Sequence, residues 1–149
     1  MSRDAAAFEK MLSGLPVKTY HAGETILSDG SKTGRLLFLK SGEVEVLKNS
    51  ALLARRDEPG AVFGELAALL DRPHGAHVRA VQDSDFHVAD VELLEKDPVA
   101  LLGVARILAR RLITTNASLV ALKNELQTGQ SPSAVRNVIA KMEQILIPF

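Results

Sequence analysis

Apolar positions near the start of the chain recur with the spacing of a helix. Four of them fall at i, i+3, i+4 and i+7, which places them on one face: Phe8, Met11, Leu12 and Leu15. Gly14 and Pro16 follow, and both residue types interrupt helices. Residues 1–16 are therefore predicted to form an N-terminal helix.

From residue 17 the period of the pattern changes to two. Seven short strands are predicted, at residues 17–20, 25–28, 35–40, 44–48, 51–55, 78–82 and 85–89. Val44 and Val46 alternate with Glu43 and Glu45, so one side of that strand is expected to be buried and the other wet. Residues 64–70 instead predict a short helix within the strand series. Strands of this length and spacing are typical of a sandwich or barrel.

After residue 89 the pattern is helical. Asp97 followed by Pro98 predicts an N-cap with proline at the first helical position. A seam of period 3.5 follows, formed by Leu101, Ala105, Leu108, Leu112, Thr115, Leu119, Leu122 and Leu126. The seam has two interpretations: it pairs two subunits, or it packs back onto its own barrel. The neighbouring cations are predicted to be its solvated flank, although one of them could approach a bound anion: Arg106, Arg110, Arg111 and Lys123.

A last helix is predicted beyond Gly129, which suits the residue after a helix end. Ser131 and Pro132 would cap it. Its apolar face would comprise Val135, Val138, Ile139, Met142, Ile145 and Leu146, and the end of the chain would be a sticky tail of Ile145, Leu146, Ile147 and Phe149.

Composition narrows the class of protein. The 149 residues include 18 basic and 18 acidic side chains and no cysteine. This length suits one domain, and the cysteine count excludes a disulfide scaffold and fits a reducing compartment. The charge balance argues against an electrostatic nucleic-acid binder. With no apolar run of about 18 residues and no signal-like start, we expect a soluble cytoplasmic protein that binds no membrane.

One stretch then points to a family. Residues 59–67, PGAVFGELA, resemble the entrance to the phosphate-binding cassette of cyclic nucleotide-binding domains. Residues 20–26, 29–30 and 37–46 resemble the family's earlier turns and strands. The resemblance implies an α+β, mainly β fold: a double-stranded β-helix or jelly-roll barrel with a short N-terminal helix, a cassette helix and C-terminal helices.

The implied organisation has four parts. An N-terminal helix occupies residues 1–16, and the β-roll occupies residues 17–89 with its cassette at 60–80. Long C-terminal helices occupy residues 90–128, and a terminal helix occupies residues 129–149.

The resemblance also implies a ligand site for a cyclic phosphodiester. A helix N-terminus offers unpaired N–H groups to an anion, Gly64 permits close approach, and Glu65 would accept a hydrogen bond from a ribose 2′-hydroxyl. The predicted ligand-binding residues are Phe63, Gly64, Glu65, Leu66, Ala67, Arg72, His74, Gly75, Ala76 and His77. No catalytic residue, cofactor or metal is predicted, and the expected ligand is cyclic AMP or cyclic GMP.

Two positions depart from the family pattern. His74 stands where the family has an arginine that grips the phosphate, and His77 stands where it has threonine or serine. A neutral imidazole offers one donor and no charge, whereas a guanidinium offers a charged planar fork. Ligand binding is therefore expected to be weakened or altered. Arg72 and Arg79 are nearby cations that could compensate.

The sequence predicts a stand-alone sensor domain, not an enzyme, which signals by repositioning its C-terminal helices when ligand binds. It would form a homodimer through the long helix and offer a partner protein its last helix. Residues 131–149 are too few for a DNA-reading module, so no DNA binding is expected. The alternatives are a non-binding dimerisation scaffold, or a cupin-like metal protein using His74 and His77 with Glu65 or Asp71.

Overall fold

The computed structural model describes residues 3–128 and 132–145. Helix α1 (Arg3–Ser13) precedes five strands, β1 (Val17–Tyr20), β2 (Thr25–Leu27), β3 (Arg35–Ser41), β4 (Val44–Lys48) and β5 (Ala51–Arg56). A short strand β6 (Val62–Phe63) leads into helix α2 (Glu65–Leu69), followed by β7 (His77–Ala80) and β8 (Ser84–Asp90). Helices α3 (Val91–Lys96), α4 (Pro98–Gln127) and α5 (Pro132–Ile145) complete the described chain.

The strands form two four-stranded antiparallel sheets. Sheet A has the order β1-β8-β3-β6, and sheet B has the order β2-β7-β4-β5. The two inner faces enclose a core that includes Leu37, Val44, Val46, Phe63 and Phe86. The expected jelly-roll architecture is confirmed. All seven predicted strands are present with ends that agree to within two residues, and β6 is an additional strand that the pattern did not predict.

A second core lies on the opposite face of sheet A. Leu36 and Phe38 alternate with the inward residues of β3 and pack against Leu12 of α1, Leu94 of α3 and Val104 of α4. Sheet A is therefore buried on both faces, by sheet B and by the helices.

Helix α4 begins as predicted. The Asp97 carboxylate accepts hydrogen bonds from the backbone N–H groups of Val99 (2.9 Å) and Ala100 (3.3 Å). Its contact with α1 depends on Gly103, because a Cβ at that position would lie only 2.9 Å from Cγ of Phe8 and nearer still to the ring edge. Ala100 and Val104 are fully buried on the same side of α4.

The period-3.5 seam of α4 is only partly covered by the rest of the domain. Leu101, Leu112, Leu119 and Leu126 are 45–60% exposed. Leu108 of the same seam packs against the core formed by sheet A and the helices. The seam is therefore covered at Leu108 and largely exposed at these four leucines, and pairing of subunits through it stays a prediction. Helix α4 is fully buried at Ala100 and Val104.

Helix α5 contacts both α4 and β5. Val138 is buried, and Lys141 pairs with Glu125 of α4 at 2.6 Å. Gly129, Ser131 and the predicted tail of Leu146, Ile147 and Phe149 lie outside the described residues. None of the helices in the described ranges combines the length and the apolar character needed to cross a membrane.

Candidate functional site in the cassette

The cassette turns sharply from β6 into α2 at Gly64. This residue has φ of +82°, which L-residues with a side chain rarely adopt. A Cβ at Gly64 would also lie 2.5 Å from the carbonyl oxygen of Arg35. Glycine is therefore required both by the backbone conformation and by the close approach of β3. The turn places Glu65 at the first position of α2.

Glu65 is a buried carboxylate that is joined to the long helix. Its side chain is 1% exposed, and its Oε1 accepts a hydrogen bond from Nη1 of Arg111, with which the carboxylate forms an ion pair. Nη2 of Arg111 donates to the carbonyl oxygen of Val62 at 2.9 Å. One arginine of α4 therefore contacts both β6 and the first residue of α2.

The second carboxylate oxygen of Glu65 has no such partner. Oε2 is buried and, among the described residues, accepts no hydrogen bond. Burial raises the pKa of Glu65, while the positive charge and hydrogen bond of Arg111 and the backbone N–H of Glu65 act in the opposite direction. The site therefore holds a carboxyl group with one oxygen bound to Arg111 and a second, buried oxygen without a partner among the described residues.

Arg111 was predicted to lie on the solvated flank of α4, and that prediction is wrong. Its side chain is only 20% exposed because it points toward the roll. Residues 104 and 111 are seven positions apart and residues 100 and 111 are eleven apart, so all three share one face of a helix. Arg111 thus continues the buried stripe of Ala100 and Val104. This stripe would have identified Arg111 as facing the roll, if the side of α4 that packs against the roll had been known from the sequence.

His74 lies next to the start of the cassette helix. It is 1% exposed, and its Cε1 atom would come within 3.2 Å of a Cβ at Gly64. Nε2 of His74 forms a 2.7 Å hydrogen bond with Oγ1 of Thr33, whereas Nδ1 is buried and has no partner in the described chain. Burial lowers the pKa of His74, which favours the neutral imidazole.

The backbone holds His74 in this position. Its N–H donates to the carbonyl oxygen of Ser31 at 2.8 Å, and its own carbonyl oxygen accepts from the N–H of Gly30 at 2.8 Å. The sequence-predicted residues Gly64, Glu65 and His74 therefore do lie in one region of the fold.

The other predicted site residues are distributed around this region. Phe63 and Ala67 are buried, Ala76 is buried, and Leu66 and Gly75 are half-buried. Phe63 packs edge-to-face on Phe86 with ring centroids 6.1 Å apart.

His77 and Arg72 are exposed. Nδ1 of His77 accepts a 3.2 Å hydrogen bond from the N–H of Asp29, whose carboxylate pairs with Lys48 at 2.9 Å. His77 therefore belongs to a surface network rather than to the buried site around His74.

Arg72 and Arg79 were predicted to be able to compensate for the missing arginine, and neither lies in the buried site beside His74. Arg79 donates to Glu45 through Nε at 2.8 Å and pairs with the same carboxylate through Nη2. Arg79 is therefore already engaged, and Arg72 remains exposed to solvent. Within the described ranges, no group of three or more His, Cys, Asp or Glu side chains is arranged to hold a metal ion.

More than half of the chain matches one protein-family model. The model described as "Cyclic nucleotide-binding domain" matches residues 17–96. The chain belongs to the cyclic nucleotide-binding domain family. The matched region contains both sheets, the cassette and α3, and it ends immediately before α4.

Parts of longer proteins are similar in sequence to this chain. The cAMP-dependent protein kinase regulatory subunit of Debaryomyces hansenii is 32% identical over 72 residues, which cover 48% of this chain and 16% of that protein. Glutaminase 2 of Bradyrhizobium diazoefficiens is 36% identical over 110 residues, which cover 66% of this chain and 17% of that protein. The chain thus spans about a sixth of the length of these relatives.

Solved structures of the family have the same fold. The catabolite activator protein of Thermus thermophilus matches with a TM-score of 0.63 and 27% identity, covering 84% of this chain and 61% of that one. A cyclic nucleotide-binding domain from Methylobacillus flagellatus matches with a TM-score of 0.61 and 24% identity, covering 70% of this chain and 66% of that one. The second likeness establishes the fold alone.

Proposed function

We propose that this domain is a regulatory sensor without catalytic activity that binds a cyclic nucleotide at the cassette, with affinity reduced by the replacement of the phosphate-gripping arginine. The observation that carries the proposal is Glu65, a buried carboxylate at the start of α2 whose Oε2 is unpartnered within the described chain. A ribose hydroxyl is the kind of donor that would satisfy this oxygen, because a buried acceptor without a partner is costly.

The link from ligand to output runs through Arg111. Because this side chain contacts both Glu65 and the carbonyl of Val62, a ligand that repositions the carboxylate also changes the anchor of α4. A ligand shifts the position of the helix only as far as it binds one arrangement more tightly than the other. The repositioned α4, together with the α5 that packs on it, would present a changed surface to a partner protein.

The weakness of the site follows from His74. Its neutral ring already hydrogen-bonds Thr33, and Nδ1 adds no charge. Charge-assisted hydrogen bonds are roughly twice as strong as neutral ones. Restoring the guanidinium in the variant His74→Arg is therefore expected to tighten cyclic AMP or cyclic GMP binding by at least about tenfold, which corresponds to ~1.4 kcal/mol.

Isothermal titration calorimetry with each nucleotide tests this proposal. His21→Arg is the matched control, because His21 is an exposed histidine that lies beside Asp83 and outside the cassette. We expect wild type and control to bind alike and His74→Arg to bind more tightly. Absence of binding by both the wild type and His74→Arg, with both folded by circular dichroism, would reject the sensor proposal.

The exposed seam of α4 favours a second candidate, a dimerisation scaffold. Leu112 is 60% exposed and Leu126 is 55% exposed, and apolar surface of this kind is often covered by a partner. Light scattering should show a dimer for the wild type and a monomer for Leu112→Glu. The control Asn116→Glu places the same charge one turn further along α4. A wild-type monomer would reject pairing through the seam.

A further inference from the structure

A cleft of about 580 Å³ lies between α1 and α4 on the helix-facing side of sheet A. Its volume falls in the range of about 300–1,000 Å³ that is usual for small-molecule sites. Phe8, Leu102 and Ile107 supply apolar walls. Glu65 and His74 do not line it, so this cleft is separate from the cassette.

The strands of sheet A explain why the base of the cleft is basic. Phe38 and His87 are register partners on β3 and β8, and Phe38 belongs to the core beneath the helices. Lys40 lies between Leu39 and Ser41, where a bulge in β3 shifts its register against β8, and it lines the same cleft as His87. The apolar surface under the helices therefore continues directly into Lys40 and His87, which both line the cleft.

The cations of the cleft outnumber the acids that could neutralise them. Arg106 pairs with Asp4 at 3.2 Å, which leaves Glu9 as the remaining acid of the lining. Lys40 and Arg110 also line the cleft, and neither forms an ion pair with any described residue.

His87 adds a buried polar atom without a partner. Its Nδ1 is buried, and no described residue hydrogen-bonds it. Burial, and after it the positive charge of Lys40, lowers the pKa of His87, consistent with Lys40 lying close to the ring. Buried polar atoms are normally satisfied, so a partner supplied by a ligand or by water is expected here.

We propose that this cleft is a second ligand site, which binds a small organic anion carrying an apolar body. The anionic head, a carboxylate or a phosphate, would contact Lys40 and Arg110, and the apolar body would lie against Phe8 and Leu102. Because the walls belong to α1 and α4, the bound molecule would hold these two helices together.

Nuclear magnetic resonance titration of the whole chain with three octyl probes tests the proposal. Octanoate and octyl phosphate carry the two candidate heads, and octan-1-ol carries the same body without charge. We expect either anion to shift the amide signals of α1 and of Gly103, and octan-1-ol to bind at least about tenfold more weakly. The tighter anion identifies the head group. Excess cyclic AMP is expected to leave the octyl anion bound in the cleft, although its own binding at the cassette also shifts signals of α4.

Variants separate this site from non-specific binding to apolar surface. The double variant Lys40→Gln/Arg110→Gln should weaken binding of the better anion at least about tenfold, and Glu9→Gln should strengthen it. The control Lys123→Gln/Arg136→Gln removes two exposed cations outside the cleft. Equal binding of octan-1-ol, displacement by cyclic AMP, or unchanged affinity in the Lys40/Arg110 double variant would each overturn the proposal.

Discussion

Replacing Arg111 with methionine isolates the ion pair between α4 and the cassette. Methionine keeps much of the apolar stem but removes the charge that faces Glu65, which is 1% exposed. Removing one partner of a buried pair typically costs about 3–5 kcal/mol, because the other charge is left uncompensated. The carbonyl oxygen of Val62 loses its 2.9 Å hydrogen bond at the same time. We therefore expect Arg111→Met to lose about 3–5 kcal/mol of unfolding free energy at pH 7.5.

The pH dependence of this loss has a definite sign. A carboxyl whose folded-state pKa is raised favours the folded state below its ordinary pKa of 4.5, and loses that contribution as the pH rises through the folded value. Arg111 opposes the rise, so its removal moves the folded pKa of Glu65 further upward. Protonated Glu65 is less costly to bury, and the loss should be smaller at pH 5 than at pH 7.5.

Thermal and urea unfolding followed by circular dichroism at both pH values measure the effect. A change of about 3–5 kcal/mol corresponds to a fall in Tm of roughly 6–20 °C for a domain of this size. Arg110→Met is the matched control, since Arg110 is exposed and outside the described ion pairs, and should change stability by less than about 0.5 kcal/mol. Comparing each variant with wild type at the same pH removes the contributions of the histidines.

Two results would refute the reasoning about Arg111. A loss below about 1 kcal/mol at pH 7.5 would mean that Glu65 is not held by this pair. An equal loss at pH 5 and pH 7.5 would mean that only packing was removed. The double variant Glu65→Gln/Arg111→Met, which leaves no buried charge, is expected to recover most of the stability.

Three further predictions follow from the packing, the helix cap and the imidazole. Gly103→Ala should cost about 1–3 kcal/mol in chemical unfolding because its Cβ overlaps the Phe8 ring; Phe8→Leu in the same chain should reduce that cost, and a wild-type midpoint for Gly103→Ala would contradict the contact. Asp97→Ala should cost ~1 kcal/mol through loss of the cap of α4, whereas a change of only a few tenths in the same assay would contradict it. Affinity for cyclic AMP should rise as the pH falls below the ordinary histidine pKa of 6.5, because burial lowers the pKa of His74 and its protonation then adds a positive charge to the site. An affinity that calorimetry finds unchanged from pH 7.5 to 5 would show that His74 does not contact the phosphate.

Local patterns in the sequence predicted most of the roll correctly. The alternation of Val44 and Val46 with charged residues placed both valines in the core, where each has no exposed surface. The Asp97–Pro98 pair located the start of α4 because capping is a local interaction between a side chain and the next backbone N–H groups. Strand β6 was missed because two residues are too few to establish a period.

The orientation of α4 could not be obtained in this way. Its most regular apolar pattern runs through Leu112 and its neighbours, yet Ala100 and Val104 are the fully buried positions of the helix, and Gly103 contacts Phe8 of α1. Small residues permit close packing but contribute little to a hydrophobic pattern. The pattern therefore does not show which side of α4 packs against α1. The placement of Arg111 depends on that orientation, and the predicted site therefore lacked its main tertiary contact.

The anchoring of α4 also has a mechanical consequence. The helix rises about 1.5 Å per residue, so Arg111 lies ~10 Å and Gln127 ~35 Å along the axis from the buried Val104. If α4 pivots as a rigid rod at Val104, a displacement of ~1 Å at Arg111 becomes ~3 Å at Gln127. Helix α5 contacts both α4 and β5. A small movement of the Arg111 guanidinium would therefore become a larger displacement of the C-terminal end of α4. Because α5 packs on α4, this displacement would make α5 slide against β5.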